Sequence, residues 1–66
     1  MEGTVKFFTP TGWGFIESKD GSGDHFVHVS GLKHAQTLEE GQEVSYELIP
    51  DPKGKGPRAV SVVIIG

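Results

Sequence analysis

The sequence predicts an all-β domain of five short, mainly antiparallel strands that close, or nearly close, into a small barrel. Three observations carry that expectation. Apolar and aromatic residues alternate with polar residues or glycine over short runs, the period-2 pattern of strands half-buried in a sheet. Clusters of Gly, Pro, Asp and Ser punctuate the runs and turn the chain. Finally, 66 residues amount to one domain that buries roughly 60% of its unfolded surface. No second layer is left to cover a flat five-stranded sheet, and closure removes the edges that such a sheet would expose.

Taken in order, GTVKFF at residues 3–8 is the first β-prone run, and TPTG at 9–12 turns the chain with a proline inside it. WGFIES at 13–18 is strand two, and the glycines and aspartates of SKDGSGD form a hairpin connection into HFVHV, strand three, at 25–29. SGLKHAQTLEEG at 30–41 is a long connection whose apolar stripe is too short for a stable helix and leaves room for one helical turn. QEVSYELI at 42–49 sets Val44, Tyr46 and Leu48 against Ser45 and Glu47, a half-buried strand four. PDPKGKGP at 50–57 holds three of the four prolines and ends any regular ladder, after which RAVSVVII at 58–65 supplies strand five.

Side chains alternate across a strand, so each run must choose an inside. Val5, Ile16, Val27, Val44, Leu48, Val60 and Val62 fill one small interior. Gly14, Ile16 and Val27 then face the core, which turns Trp13, Phe15, Phe26 and His28 outward as one platform on an antiparallel hairpin. The competing arrangement, a sandwich with these rings in its core, needs a second layer that the chain is too short to build. A contiguous exposed apolar patch usually marks a binding surface. In the last strand, burial of Val62 and Ile64 would expose Val63 and Ile65. These residues either cover the barrel's end or pair with a second copy along an open edge, so a monomer and a weak homodimer are both expectations.

Several function classes lose support. There is no cysteine, hence no disulfide, thiolate metal site or thiol nucleophile, in keeping with a cytoplasmic location. No apolar run approaches the roughly 20 residues of a membrane span. Asp24, His25 and His28 do not suggest a metal site, because His25 and His28, three apart on a strand, face opposite ways. Neither Ser30 nor Ser45 has a base and an acid at related positions, so an enzyme is not expected. The net charge of −3 argues mildly against a partner held mainly through phosphates. Its distribution softens that objection: Glu39, Glu40, Glu43 and Glu47 crowd the second half, whereas Lys53, Lys55 and Arg58 surround the last turn and Lys6 sits beside the first aromatics.

Flat rings beside scattered cations suit single-stranded nucleic acid, whose bases stack on aromatic side chains for roughly 1–3 kcal/mol each while Lys or Arg follow the phosphates. Duplex hides those faces. Pyrimidine-rich strands are favoured, because weakly self-stacked bases are easier to splay out. The rival is a small barrel gripping proline-rich or other extended peptides in an aromatic groove. His28 set among phenylalanines and lysines favours the polynucleotide.

The pair T-G-W-G-F-I and D-H-F-V-H-V resembles the paired ribonucleoprotein motifs of the cold-shock domain, usually K-G-(aromatic)-G-F-I and (V/I)-F-V-H-(aromatic). The likeness runs from G-T-V-K-F-F through T-L-E-E-G-Q-E-V to G-P-R-A-V, in matching order and spacing. It implies a five-stranded antiparallel oligonucleotide-binding (OB) barrel that binds single-stranded RNA and DNA, acting as an RNA chaperone or antiterminator without cofactor or catalysis. By position it implies binding through Lys6, Phe7, Phe8, Trp13, Phe15, Phe26, His28, Lys55 and Arg58. Four departures imply weaker binding over a shorter footprint. Thr11 stands for a lysine, Phe7 for a tryptophan and Val29 for an aromatic, and residues 31–37 lack a phenylalanine.

Overall fold

The computed structural model describes residues 1–50 and 56–66. Five strands, β1 (Glu2–Phe8), β2 (Trp13–Ser18), β3 (Asp24–His28), β4 (Glu43–Pro50) and β5 (Pro57–Ile64), close into a barrel in the order β1-β2-β3-β5-β4. Four of the seams are antiparallel, as expected for hairpin-linked strands. The seam between β3 and β5 is parallel, with Phe26 opposite Arg58 and Val27 opposite Ala59. A parallel seam needs a crossover, which the long connection together with β4 provides. The expected helical turn begins one residue early, as a 3-10 turn at Val29–Gly31. The β4–β5 ladder also reaches farther than the prolines suggest, since Pro50 pairs with Pro57.

Two irregularities decide which residues face inward. Between Val5 and Phe7, β1 advances two residues while β2 advances one, from Ile16 to Phe15. Such a bulge breaks strict alternation. Val5 stays in the core, Lys6 and Phe7 are both exposed, and Phe8 packs against the core from the edge. In β5 the ladder shifts between Ser45 and Glu47, whose partners are Val63 and Val60, and Ser61 takes a φ of 54°. Ala59 and Val62, three apart, therefore both point inward.

This second bulge corrects the expected interior. Val60 is only half-buried and Ala59 takes the inward place, while Leu48 packs against the core without being enclosed. Tyr46 and Leu38 join Val5, Ile16, Val27, Val44 and Val62. His25 turns away from His28 as alternation requires and ends inside, 8% exposed, with Nδ1 3.2 Å from the Tyr46 hydroxyl. That contact gives the buried phenol a polar partner, and burial raises the Tyr46 pKa. At the chain's end Val62 is buried and Val63 half-buried, but Ile64 is exposed along with Ile65, against the expected alternation. The edge of β5 is occupied on both sides here. Val44 pairs with Ile64, while Leu32 bridges Val62 in parallel and the Lys33 N–H donates to the Val62 carbonyl at 2.8 Å.

The β2–β3 hairpin is shaped by polar side chains. The Asp20 carboxylate accepts from the Ser18 hydroxyl and from the Ser22 N–H at 2.9 Å, and Gly21 and Gly23 supply the positive φ values that reverse the chain. The Ser18 and then the Ser22 bonds pull the Asp20 pKa down to about 2. A carboxylate held below its unfolded pKa stabilises the fold fully above about pH 4 and loses that contribution as the pH falls through its folded value. Asp20→Asn should therefore be less stable than the parent at pH 6, with the difference vanishing near pH 2. Urea midpoints across that range check it.

Candidate nucleic-acid interface

The register of three strands assembles the outward face. In the β2–β3 pair Trp13 lies opposite His28 and Phe15 opposite Phe26, and the bulge in β1 brings Phe7 opposite Phe15. Without that bulge Phe7 would share the inner face with Val5. Phe7 and Trp13 are 39% and 37% exposed, and Phe15 and Phe26 are half-buried between their neighbours.

The rings pack mostly edge to face. Phe7 meets Trp13 at 5.8 Å with 78° between planes, Trp13 meets Phe15 at 6.2 Å and 89°, and Phe15 meets Phe26 at 5.9 Å and 75°. Trp13 and Phe26 are nearly parallel at 6.4 Å and 22°. Such pairs hold one another in place, so the platform stays ordered while part of each ring remains open to a flat ligand.

Local chemistry fixes the ends of the platform. In the Thr9–Gly12 turn Pro10 presets φ and Gly12 adopts φ 98°. The Thr9 N–H donates to the Trp13 carbonyl at 2.7 Å and the Thr9 hydroxyl donates to the same oxygen at 3.0 Å, anchoring the Trp13 backbone. Thr11 is exposed, its hydroxyl 2.8 Å from that of Thr9. At the far end Val29 packs over Gly12, and its N–H donates to the Gly12 carbonyl at 2.8 Å. His28 caps the 3-10 turn, with Nδ1 accepting from the Ser30 N–H at 3.1 Å.

The cations are less free than the sequence suggests. Lys6 Nζ lies 2.8 Å from Asp24 Oδ2, and this hydrogen-bonded pair raises the Lys6 pKa. Arg58 is half-buried beside Phe26, and its Nε, enclosed, has no hydrogen-bond partner among the described residues. Lys53 and Lys55 lie outside the described residues. Phe8, for its part, turns toward the core and makes no ring pair with the platform among the described residues.

Sequence reasoning missed three supporting residues. Asp24, weighed only as a metal ligand, is the partner of Lys6; Thr9 anchors Trp13; and Ser30 orients His28. The last two had a local signal, since Ser and Thr beside turns commonly bond nearby backbone or side-chain groups.

Comparison with known proteins agrees with this geometry. The profile of the 'Cold-shock' DNA-binding domain matches residues 1–65. The probable cold shock protein y4cH of Sinorhizobium fredii is 52% identical over 54 residues, covering 77% of this chain and 78% of that protein. Cold shock-like protein CspI of Escherichia coli K12 is 48% identical over 68 aligned positions, 98% of this chain and 94% of its own. A cold shock-like protein of Aquifex aeolicus is 40% identical over 69 positions, 100% and 96% of the two chains.

Proposed function

The chain belongs to the cold-shock DNA-binding domain family, a family of nucleic-acid-binding, non-enzymatic domains, and on that premise we propose that it binds single-stranded RNA and DNA by stacking bases on Phe7, Trp13, Phe15, Phe26 and His28. The observation that carries this reading is four aromatic rings in mutual contact on the outer face of three adjacent strands. Rings with open faces match splayed bases and have nothing to offer a paired duplex. Pyrimidine-rich strands are preferred because they unstack most easily. Binding of this kind keeps RNA single-stranded, the physical basis of a cytoplasmic RNA chaperone or of a cold-shock regulator of transcription or translation. The stacking face needs one copy of the chain, and the backbone partners of Val62 on both sides of β5 favour a monomer over a weak homodimer paired at that point.

Titrating the fluorescence of the sole tryptophan, Trp13, tests the reading. A short oligothymidine should quench it with saturation, and a duplex of equal length should not. Equal responses to both, or none to either, would overturn stacking and bring an extended peptide ligand forward.

Salt dependence separates stacking from charge. Lys6, Lys55 and Arg58 offer at most two or three phosphate contacts, and Lys6 is already engaged by Asp24. The logarithm of affinity should then fall against the logarithm of salt concentration with a slope of about −1.4 to −2.1. A slope twice as steep would mean that phosphates dominate.

A further inference from the structure

The bonds around His28 point to which ring nitrogen holds its proton. Ser30 N–H lies 3.1 Å from His28 Nδ1, and a backbone amide can only donate, so Nδ1 must offer its lone pair. The Ser30 hydroxyl, 2.9 Å from the same nitrogen, can then only donate to it as well. In a neutral ring the remaining proton sits on Nε2. We propose that Ser30 is a positioning residue whose hydroxyl, added to its backbone amide, locks His28 in the Nε2–H form, so that this exposed ring presents one hydrogen-bond donor beside Trp13 and selects an acceptor oxygen on the ligand. The proposal rests on the nucleic-acid reading and deepens it at one position.

Three observations support the assignment. The ring is placed by its own strand, since His28 lies opposite Trp13 in the β2–β3 register. Its backbone is extended, with φ −116° and ψ 151°, while the next residues tighten into the 3-10 turn that brings the Ser30 amide back onto the ring. The side chain is nonetheless exposed, so Nδ1 is engaged by the protein while the ring remains available to a ligand. Two oxygens share the required chemistry, a pyrimidine carbonyl and a backbone phosphate. An exocyclic amino group, itself a donor, is disfavoured at this point.

Ring-nitrogen chemical shifts of the free protein, measured by long-range proton–nitrogen correlation at pH 8, test the lock without any ligand. His28 should show an acceptor-type Nδ1 and a protonated Nε2, with His34, exposed and without a hydrogen bond to its ring among the described residues, as the internal reference. Ser30→Ala keeps the backbone amide and loses the hydroxyl donor, so the His28 shifts should move part of the way toward those of His34, and Ser30→Thr should restore them. A protonated Nδ1 in the parent overturns the lock, and unchanged shifts in Ser30→Ala overturn the part assigned to the Ser30 side chain by leaving the amide to act alone. Titration with oligothymidine and oligodeoxyadenosine then identifies the acceptor. Ser30→Ala should bind oligothymidine about three- to tenfold more weakly, with the Trp13 quenching amplitude preserved. A loss confined to oligothymidine points to the pyrimidine carbonyl, because adenine has none; an equal loss on both strands points to phosphate. Undiminished affinity for both overturns the ligand part. Should the parent protein bind neither strand, the stacking reading falls, and the shifts still decide the Ser30 lock.

Discussion

Phe15→Ala should weaken binding to a short oligothymidine by about 1–3 kcal/mol, roughly 5- to 150-fold in Kd, the range measured for removal of one stacking partner. Phe15 sits where the platform's ring contacts converge, 5.5 Å from Phe7, 6.2 Å from Trp13 and 5.9 Å from Phe26. Its removal takes away one stacking face and the lateral support of three others, so the loss should lie toward the upper part of that range. Because the ring is half-buried, truncation also costs some fold stability, and the two effects must be separated. Phe15→Leu does so, since it restores most of the apolar contact without a flat face. It should recover most of the urea midpoint and little of the affinity. Wild-type affinity in a folded Phe15→Ala protein would mean that bases bind elsewhere.

The platform was legible in the sequence because the β2–β3 hairpin obeys strict alternation: Gly14, Ile16 and Val27 are buried, and Trp13 and His28 are exposed. Legibility ended wherever the period changed. Nothing in V-K-F-F marks Lys6 as the extra residue of a bulge, and alternation alone would have sent Phe7 inward; only the β1–β2 register explains why it lies on the outer face opposite Phe15. The same failure in β5 exchanged Val60 for Ala59, because the φ of 54° at Ser61 has no signature in A-V-S-V. Leu38 was missed because a lone apolar residue in a polar connection carries no periodicity at all. Pairing among charged groups was equally hidden: Lys6 and Asp24 are 18 positions apart and meet only once the barrel closes.

Gly14→Ala should cost the protein about 3 kcal/mol or more, most of its stability. A Cβ at this position would lie 2.2 Å from the Phe7 carbonyl oxygen and 2.8 Å from Phe8 Cα. Both are backbone atoms of β1 just past the bulge, so no side-chain rotation relieves the overlap; the strands themselves must separate. Overpacking a core typically costs 1–3 kcal/mol, and a clash against two backbone atoms belongs at or above the upper end. Domains of this size, without metal or disulfide, have only about 3–5 kcal/mol to lose. Gly21→Ala is the instructive contrast. Its φ of 80° strains any side chain by about 1–2 kcal/mol, but nothing lies within 4 Å of the new Cβ, so the fold should survive with a lowered midpoint. Circular dichroism and urea titration rank the two variants directly. If Gly14→Ala were the more stable, β1 could not lie as close to β2 as the platform requires. Phe7 and Phe15 would then lose the contact that joins β1 to the rest of the aromatic face, because the approach that excludes a methyl group at Gly14 also sets Phe7 opposite Phe15.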